Sequence, residues 1–232
     1  MVICPKKERN LKAGDPLGWG ERWGLVIQDR QSRFVVAHAS GRRNEALVSE
    51  AIRKAHARTR GQPVSWGSDG WRAYPEAIRR AYRRPVRTGR RGRPPLVVPE
   101  GVSLTQTIKH RDGHGQLLSV EIRTTIGADG GAEVEQQPVP VHIERLNGVL
   151  RDRLACLTRK THAFAKSTST WDALFGLALF EHNWLRAHPA LSQPSTVAGR
   201  YYQRRTPAMA IGLADHCWSW PEFLTTKATV SF

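Results

Sequence analysis

Two β-type runs five residues apart, then a capped helix, a third strand and a second helix: this order limits the fold more than any composition figure. Residues 23–28 and 34–39 are rich in β-branched and aromatic side chains, and the polar segment 29–33 between them has the length of a hairpin loop. Asn44 suits a helix N-cap, and Leu47, Val48, Ala51, Ile52 and Ala55 then recur at steps of three and four, which predicts a helix to about residue 58. Residues 63–67 read as a third short strand that runs into Ser68-Asp69-Gly70. A second helix follows from Trp71, with Tyr74, Ile78, Ala81 and Tyr82 facing inward.

Further along, Leu118, Val120, Ile122, Thr124 and Ile126 alternate within residues 117–126 and predict a half-buried strand; the Gly-rich residues 127–138 read as a connection. A helical stretch spans 140–166, with Ile143, Leu146, Leu150, Leu154 and Leu157 on one face. A last long helix is expected over about 170–187, opened by a capping box at Ser169 and Asp172, with Trp171, Leu174, Phe175, Ala178 and Leu179 in its stripe. Mixed order of this kind predicts an α/β sandwich with helices on both faces of a mixed sheet. In such sheets chemistry collects at the carboxyl ends of strands, and Asp69 lies at one.

Charge narrows the class of partner. Lys and Arg number 36 against 20 for Asp and Glu, a formal +16 over 232 residues, which favours a polyanion. Between Arg72 and Arg93 nine arginines accompany one glutamate, Glu76, a density that reads as a phosphate track and, on the bland view, as a solvated face. No stretch approaches the roughly 20 apolar residues of a membrane span. Cys4, Cys156 and Cys217 are isolated, which supports neither a disulfide framework nor a zinc knuckle and fits a cytoplasmic protein.

Two carboxylates carry the sharpest reading. Glu144, set among Arg145, Arg151, Arg153, Arg159, Lys160 and Lys166, is on the bland view half of a solvated i,i+4 ion pair. Asp69, in Ser68-Asp69-Gly70, is on the bland view a turn residue. Together they could supply oxygen ligands for Mg²⁺ or Mn²⁺, and a pair of such ions roughly 3.5–4 Å apart drives in-line phosphoryl transfer. His110 and His114 share i,i+4 spacing but fall in a loop; His142 and His188 read as structural. Trp23, Trp66, Trp71, Trp171 and Trp184 read as core rather than as stacking platforms.

Six segments in one order resemble a known family. They are Gly14-Asp15 with Trp23-Gly-Leu-Val-Ile-Gln-Asp29; Gly41-Arg42-Arg43; Ser68-Asp69-Gly70-Trp71-Arg72-Ala73-Tyr74; Ile143-Glu144-Arg145-Leu146-Asn147 with Arg151 and Arg159 to Lys166; Phe180-Glu-His-Asn183-Trp-Leu-Arg186-Ala-His188; and Arg205-Thr206-Pro207-Ala208-Met209 through Gly212. The chain resembles insertion-sequence transposases of the DDE type, whose catalytic core is ribonuclease-H-like. The resemblance implies a core over residues 1–190, with a strand-bearing insertion at about 85–138 before the last catalytic helix, and an irregular basic tail over 191–232. It implies Asp69 and Glu144 as catalytic metal ligands for Mg²⁺ or Mn²⁺, and DNA contacts from Arg72, Arg145, Asn147, Arg151, Arg159, Lys160 and Lys166. It further implies DNA ends and target DNA as partners, self-association on DNA, no membrane partner, and a nucleoid-associated cytoplasmic location.

One departure qualifies the resemblance. The family's first catalytic aspartate lies on the first and central strand, in an Asp-Glu-x-Trp motif a few residues before Lys-Lys-x-Arg-Asn. Here Lys6-Lys7-Glu8-Arg9-Asn10 matches the latter, but Met1-Val-Ile-Cys4 leaves no room for the former, and neither Asp15 nor Asp29 substitutes by alignment. The expectation is a mis-set start or, preferentially, a fragment whose first strand is largely missing and whose transposition chemistry is crippled. The rival reading is a non-catalytic basic nucleic-acid-binding remnant.

Overall fold

The structure, a computed structural model, describes residues 2–4, 10–15, 20–87, 89, 91–127, 141–158, 162–163, 165–195 and 199–226. Among them the chain is a mixed α/β protein with six α-helices. The elements are β1 (Val2–Cys4), β2 (Gly20–Gln28), β3 (Val35–Gly41), α1 (Glu45–Arg58), β4 (Ser65–Asp69), α2 (Ala73–Tyr82), β5 (Arg84–Pro85), β6 (Leu96–Val97), β7 (Ser103–Arg111) and β8 (Leu117–Ile126). Then follow α3 (Val141–Arg153), α4 (Thr168–Phe180), β9 (Gln193–Pro194), β10 (Tyr202–Gln203), α5 (Pro207–Ala210) and α6 (Trp220–Thr225). No described helix is long and apolar enough to cross a membrane.

The chain divides into two compact units. One comprises Arg22–Ile27 and Ala37–Val149. Its first helix forms as the sequence predicts: the Asn44 side chain accepts from the Leu47 N–H, and Leu47, Val48, Ala51, Ile52 and Ala55 are the buried face. Helix α2 buries Ala73, Ala77, Ile78 and Tyr82. Both helices pack with Leu25 of β2, Ala39 of β3, Leu104 of β7 and Ile126 of β8 in one core, which Trp66 of β4 joins from its rim. Val48, Ile52, Ile78 and Leu104 are shut off from solvent, each worth about 1.5–3 kcal/mol of burial.

The strands fall into two three-stranded ladders, β1-β2-β3 and β4-β7-β8. The second is mixed: β4 runs parallel to β7, and β7 antiparallel to β8. The sequence does not predict β7. Its residues Ser103, Thr105 and Thr107 alternate with Leu104, Gln106 and Ile108, and all from Ser103 to Thr107 are buried, so the polar row is as hidden as the other. The half-buried strand expected at 117–126 forms, but Leu118, Val120 and Ile122 are 68%, 46% and 46% exposed. Strand β8 is the edge of its ladder, and its alternation records pleat rather than burial. Most of the connection expected at 127–138 lies outside the described residues.

The helix expected over 140–166 ends early. Leu154 takes an extended conformation (φ −104°, ψ 98°), and a short 3₁₀ turn, Ala155–Leu157, follows. The Thr158 hydroxyl donates to the Arg151 carbonyl at 3.1 Å, taking an acceptor that a continuing helix would give to residue 155. Leu154 and Leu157 therefore leave the stripe that Leu146 and Leu150 share.

The second unit comprises Met1–Glu21, Gln28–Val36 and Leu150–Phe232. Helix α4 starts two residues earlier than expected, because Ser167, not Ser169, accepts from the Thr170 N–H. Trp171, Phe175, Ala178 and Leu179 are buried as expected, while Leu174 stays 39% exposed. A π-turn, Glu181–Leu185, closes this helix and brings Asn183 inward. Residues 191–232, expected as an irregular tail, include α5 and α6, and Thr206 to Met209 are buried.

Candidate active site

Asp69 is the last residue of β4, and its register partner on the parallel strand β7 is Thr107. Its side-chain Oδ1 accepts from the Trp71 N–H at 3.1 Å, an Asx turn that leaves the carboxylate exposed. Gly70 permits this turn to hug β7: a Cβ there would stand 3.1 Å from Ile108 Cγ1 and 3.5 Å from its Cα. Behind the turn lies Gln106. Its Nε2 donates to the carbonyls of Asp69 (2.8 Å) and Trp71 (3.3 Å) and to Ser68 Oγ (3.4 Å). Its Oε1 accepts from the Thr125 hydroxyl at 3.1 Å. A buried amide thus ties the Asp69 turn to β8.

Glu144 sits in the first turn of α3, and its Oε1 meets Lys109 Nζ at 2.8 Å. The ion pair is neither the bland i,i+4 pair nor a contact within the basic helix; it reaches to β7. Residues two apart on a strand share a face, so Lys109 projects on the same side as Thr107, and Thr107 on the same side as its partner Asp69. With strands ~4.8 Å apart and a rise of ~3.3 Å per residue, the Cα atoms of Asp69 and Lys109 are roughly 8 Å apart. The side chains of Asp69 and of Lys109, the partner of Glu144, therefore leave the same face of one ladder. Both side chains of the ion pair are about half exposed (41% and 55%), so the contact contributes little to stability, ~0–1 kcal/mol.

Around this centre, Tyr74 is largely buried, and its hydroxyl pKa is raised, first by burial and then by the charge of Asp69, with Arg43 opposing. Thr107 Oγ1 is buried without a hydrogen-bond partner. Among the described residues no three His, Cys, Asp or Glu side chains converge. The chemistry of Asp69 and Glu144 nevertheless suits Mg²⁺ or Mn²⁺, which take hard oxygen donors and manage with one or two carboxylates plus water.

The remaining expected contacts divide as follows. Arg72 and Arg145 are exposed and Asn147 partly buried, all in the unit that carries Asp69 and Glu144. Arg151 and Lys166 are exposed in the other unit. Arg159 and Lys160 lie outside the described residues. Of the nine arginines from 72 to 93, all but Arg90, which is not described, are exposed. Two of these have polar partners: Arg80 pairs with Glu76 one helical turn away at 2.8 Å, and Arg79 reaches the Thr125 carbonyl of β8 at 3.2 Å. Gln106 and Lys109 are missing from the sequence reading; the alternation of Leu104, Gln106 and Ile108 was the available signal, since it puts the amide on the core side.

No family profile, curated protein or solved structure matches the chain.

Proposed function

We propose that the chain is the catalytic core of an insertion-sequence transposase of the DDE type, ribonuclease-H-like in fold, acting on DNA ends and target DNA. The observation that carries this reading is the shared strand face of Asp69 and of Lys109 with its Glu144. Asp69 and the lysine that pairs with Glu144 share one face of the ladder, which supports a phosphoryl-transfer centre built on these two carboxylates. A mixed ladder built on β4 and packed with α1 and α2 agrees with the fold that the resemblance implies.

A divalent ion at Asp69 and Glu144 would activate the attacking oxygen and stabilise the leaving one. The chain itself does the rest. Gln106 holds the Asp69 carbonyl, and the Trp71 N–H holds its carboxylate, at the strand end. Lys109 keeps Glu144 charge-balanced until a cation competes for it. Arg72, Arg145, Asn147, Arg151, Arg159, Lys160 and Lys166 hold backbone phosphates, which positions DNA without reading its sequence. Self-association on DNA and a cytoplasmic, nucleoid-associated location belong to the same proposal.

Metal-dependent strand cleavage on a duplex carrying the element's ends is the direct test. Cleavage that needs Mg²⁺ or Mn²⁺ and is lost in both Asp69→Asn and Glu144→Gln supports catalysis. The lack of three converging His, Cys, Asp or Glu side chains among the described residues favours a second reading, a basic nucleic-acid-binding protein without chemistry. Salt-sensitive DNA binding with no cleavage in wild type or in either variant would establish that reading instead.

A further inference from the structure

Three segments of the unit that carries Asp69 converge on a single guanidinium. Arg43 lies in the turn between β3 and α1, its Cζ 4.9 Å from the ring centroid of Trp23 on β2 and 5.0 Å from that of Trp71 in the β4–α2 turn. Both distances are those of a cation–π contact, and the guanidinium N–H groups are the donors that fork onto phosphate or carboxylate oxygens. Arg43 is exposed, and its side chain meets no carboxylate or carbonyl among the described residues. The indole that flanks it belongs to the residue whose N–H holds Asp69 Oδ1 at 3.1 Å. Tyr74 stands edge-on to Trp71, ring centroids 5.9 Å apart, and its hydroxyl responds to both the Asp69 and the Arg43 charges.

A staple between turns needs no charge; an aliphatic side chain between two indoles would serve. An exposed cation held by two indoles beside the Asp69 turn is instead suited to an anion of phosphate geometry. We propose that Arg43, clamped between Trp23 and Trp71, is a binding site for a backbone phosphate of the DNA strand that reaches Asp69. The site rests on the nucleic-acid reading above and adds to it a residue that pre-orients the strand.

Binding of a duplex oligonucleotide, followed by fluorescence anisotropy over a salt series, tests this with wild type, Arg43→Gln and Arg43→Lys. Each phosphate neutralised on B-DNA adds about 0.9 to the slope of log affinity against log salt. Arg43→Gln should flatten that slope by about 0.9, and Arg43→Lys should keep the slope while binding several-fold more weakly for want of the fork. Wild-type binding with an unchanged slope in Arg43→Gln overturns the site and leaves the nucleic-acid reading standing. Absence of salt-dependent binding in wild type overturns both. If thermal melting finds Arg43→Gln unfolded, the lysine variant decides alone: affinity equal to wild type rejects the clamped fork, and a several-fold loss at constant slope supports it.

Discussion

Asn183 and Asp69 both sit in segments that resemble one family, yet the structure uses them in opposite ways. Asn183, in the π-turn after α4, is 7% exposed, and both ends of its amide are spent on one residue of β3: Oδ1 accepts the Val35 N–H at 2.8 Å and Nδ2 donates to the Val35 carbonyl at 3.1 Å. The buried amide is thereby committed to the backbone of the strand. Asp69 is exposed, is gripped from behind through its carbonyl by Gln106, and spends one carboxylate oxygen on the Trp71 N–H. The first segment is scaffold made of polar atoms; the second holds an exposed carboxylate on scaffold. The Arg205-Thr206-Pro207-Ala208 segment follows the Asn183 pattern, with Thr206 wholly buried and its hydroxyl accepting from the Met209 N–H. Membership in a signature is thus no guide to role until each donor and acceptor has been followed to its partner.

The largest effect that could break this contrast is in Asn183→Leu. The variant leaves the N–H and carbonyl of buried Val35 unpaired, and two such groups at ~1–3 kcal/mol each predict a loss of roughly 2–6 kcal/mol. Urea denaturation should read it as a lower midpoint at constant slope. A change below ~1 kcal/mol would mean that the amide is replaceable by water and that Asn183 is not scaffold.

A smaller effect sharpens the other side. Gln106→Leu keeps the volume but deletes the clamp on Asp69, Trp71 and Ser68; a loss of about 1–3 kcal/mol is expected, together with weaker Mn²⁺ binding measured by paramagnetic line broadening. Asp69→Asn, at an exposed position, should change stability by no more than ~0.5 kcal/mol while abolishing Mn²⁺ binding. Equal Mn²⁺ affinity in Gln106→Leu and wild type would show that the amide supports the fold but not the carboxylate.

These pairs also explain which parts of the molecule were legible. Helix α1 was, because Asn44 and five apolar residues at helical spacing agree at every level. The β2–β3 strands and α2 were, for similar reasons. Strand β7 was not: a buried row of Ser103, Thr105 and Thr107 has the composition of a surface, and its burial depends on the whole fold. The early end of α3 depends on one hydroxyl, Thr158, returning to the Arg151 carbonyl, a choice that hydrophobic periodicity does not encode. For the site, Asp69 and Glu144 stood out by residue type and setting, whereas Lys109 is one basic residue among 36 and becomes distinctive only through its strand face.

The smallest effect expected belongs to His182, beside Asn183 in the scaffold. Its Nε2 lies 2.9 Å from the Arg33 carbonyl, so the neutral ring donates there, and burial holds its pKa below the ordinary 6.5, against the pull of that hydrogen bond. A histidine depressed in the folded state takes up its proton more readily once unfolded. Its neutral form therefore contributes fully above the unfolded-state value, and stability falls as pH drops below about 6.5 towards the folded-state value. His182→Gln removes that proton, so the difference in unfolding free energy between wild type and variant should shrink on acidification through this window and stay level above it. A difference independent of pH would place the ring in water and weaken the case that this turn is sealed scaffold; a difference that grows on acidification would reverse the sign and refute it.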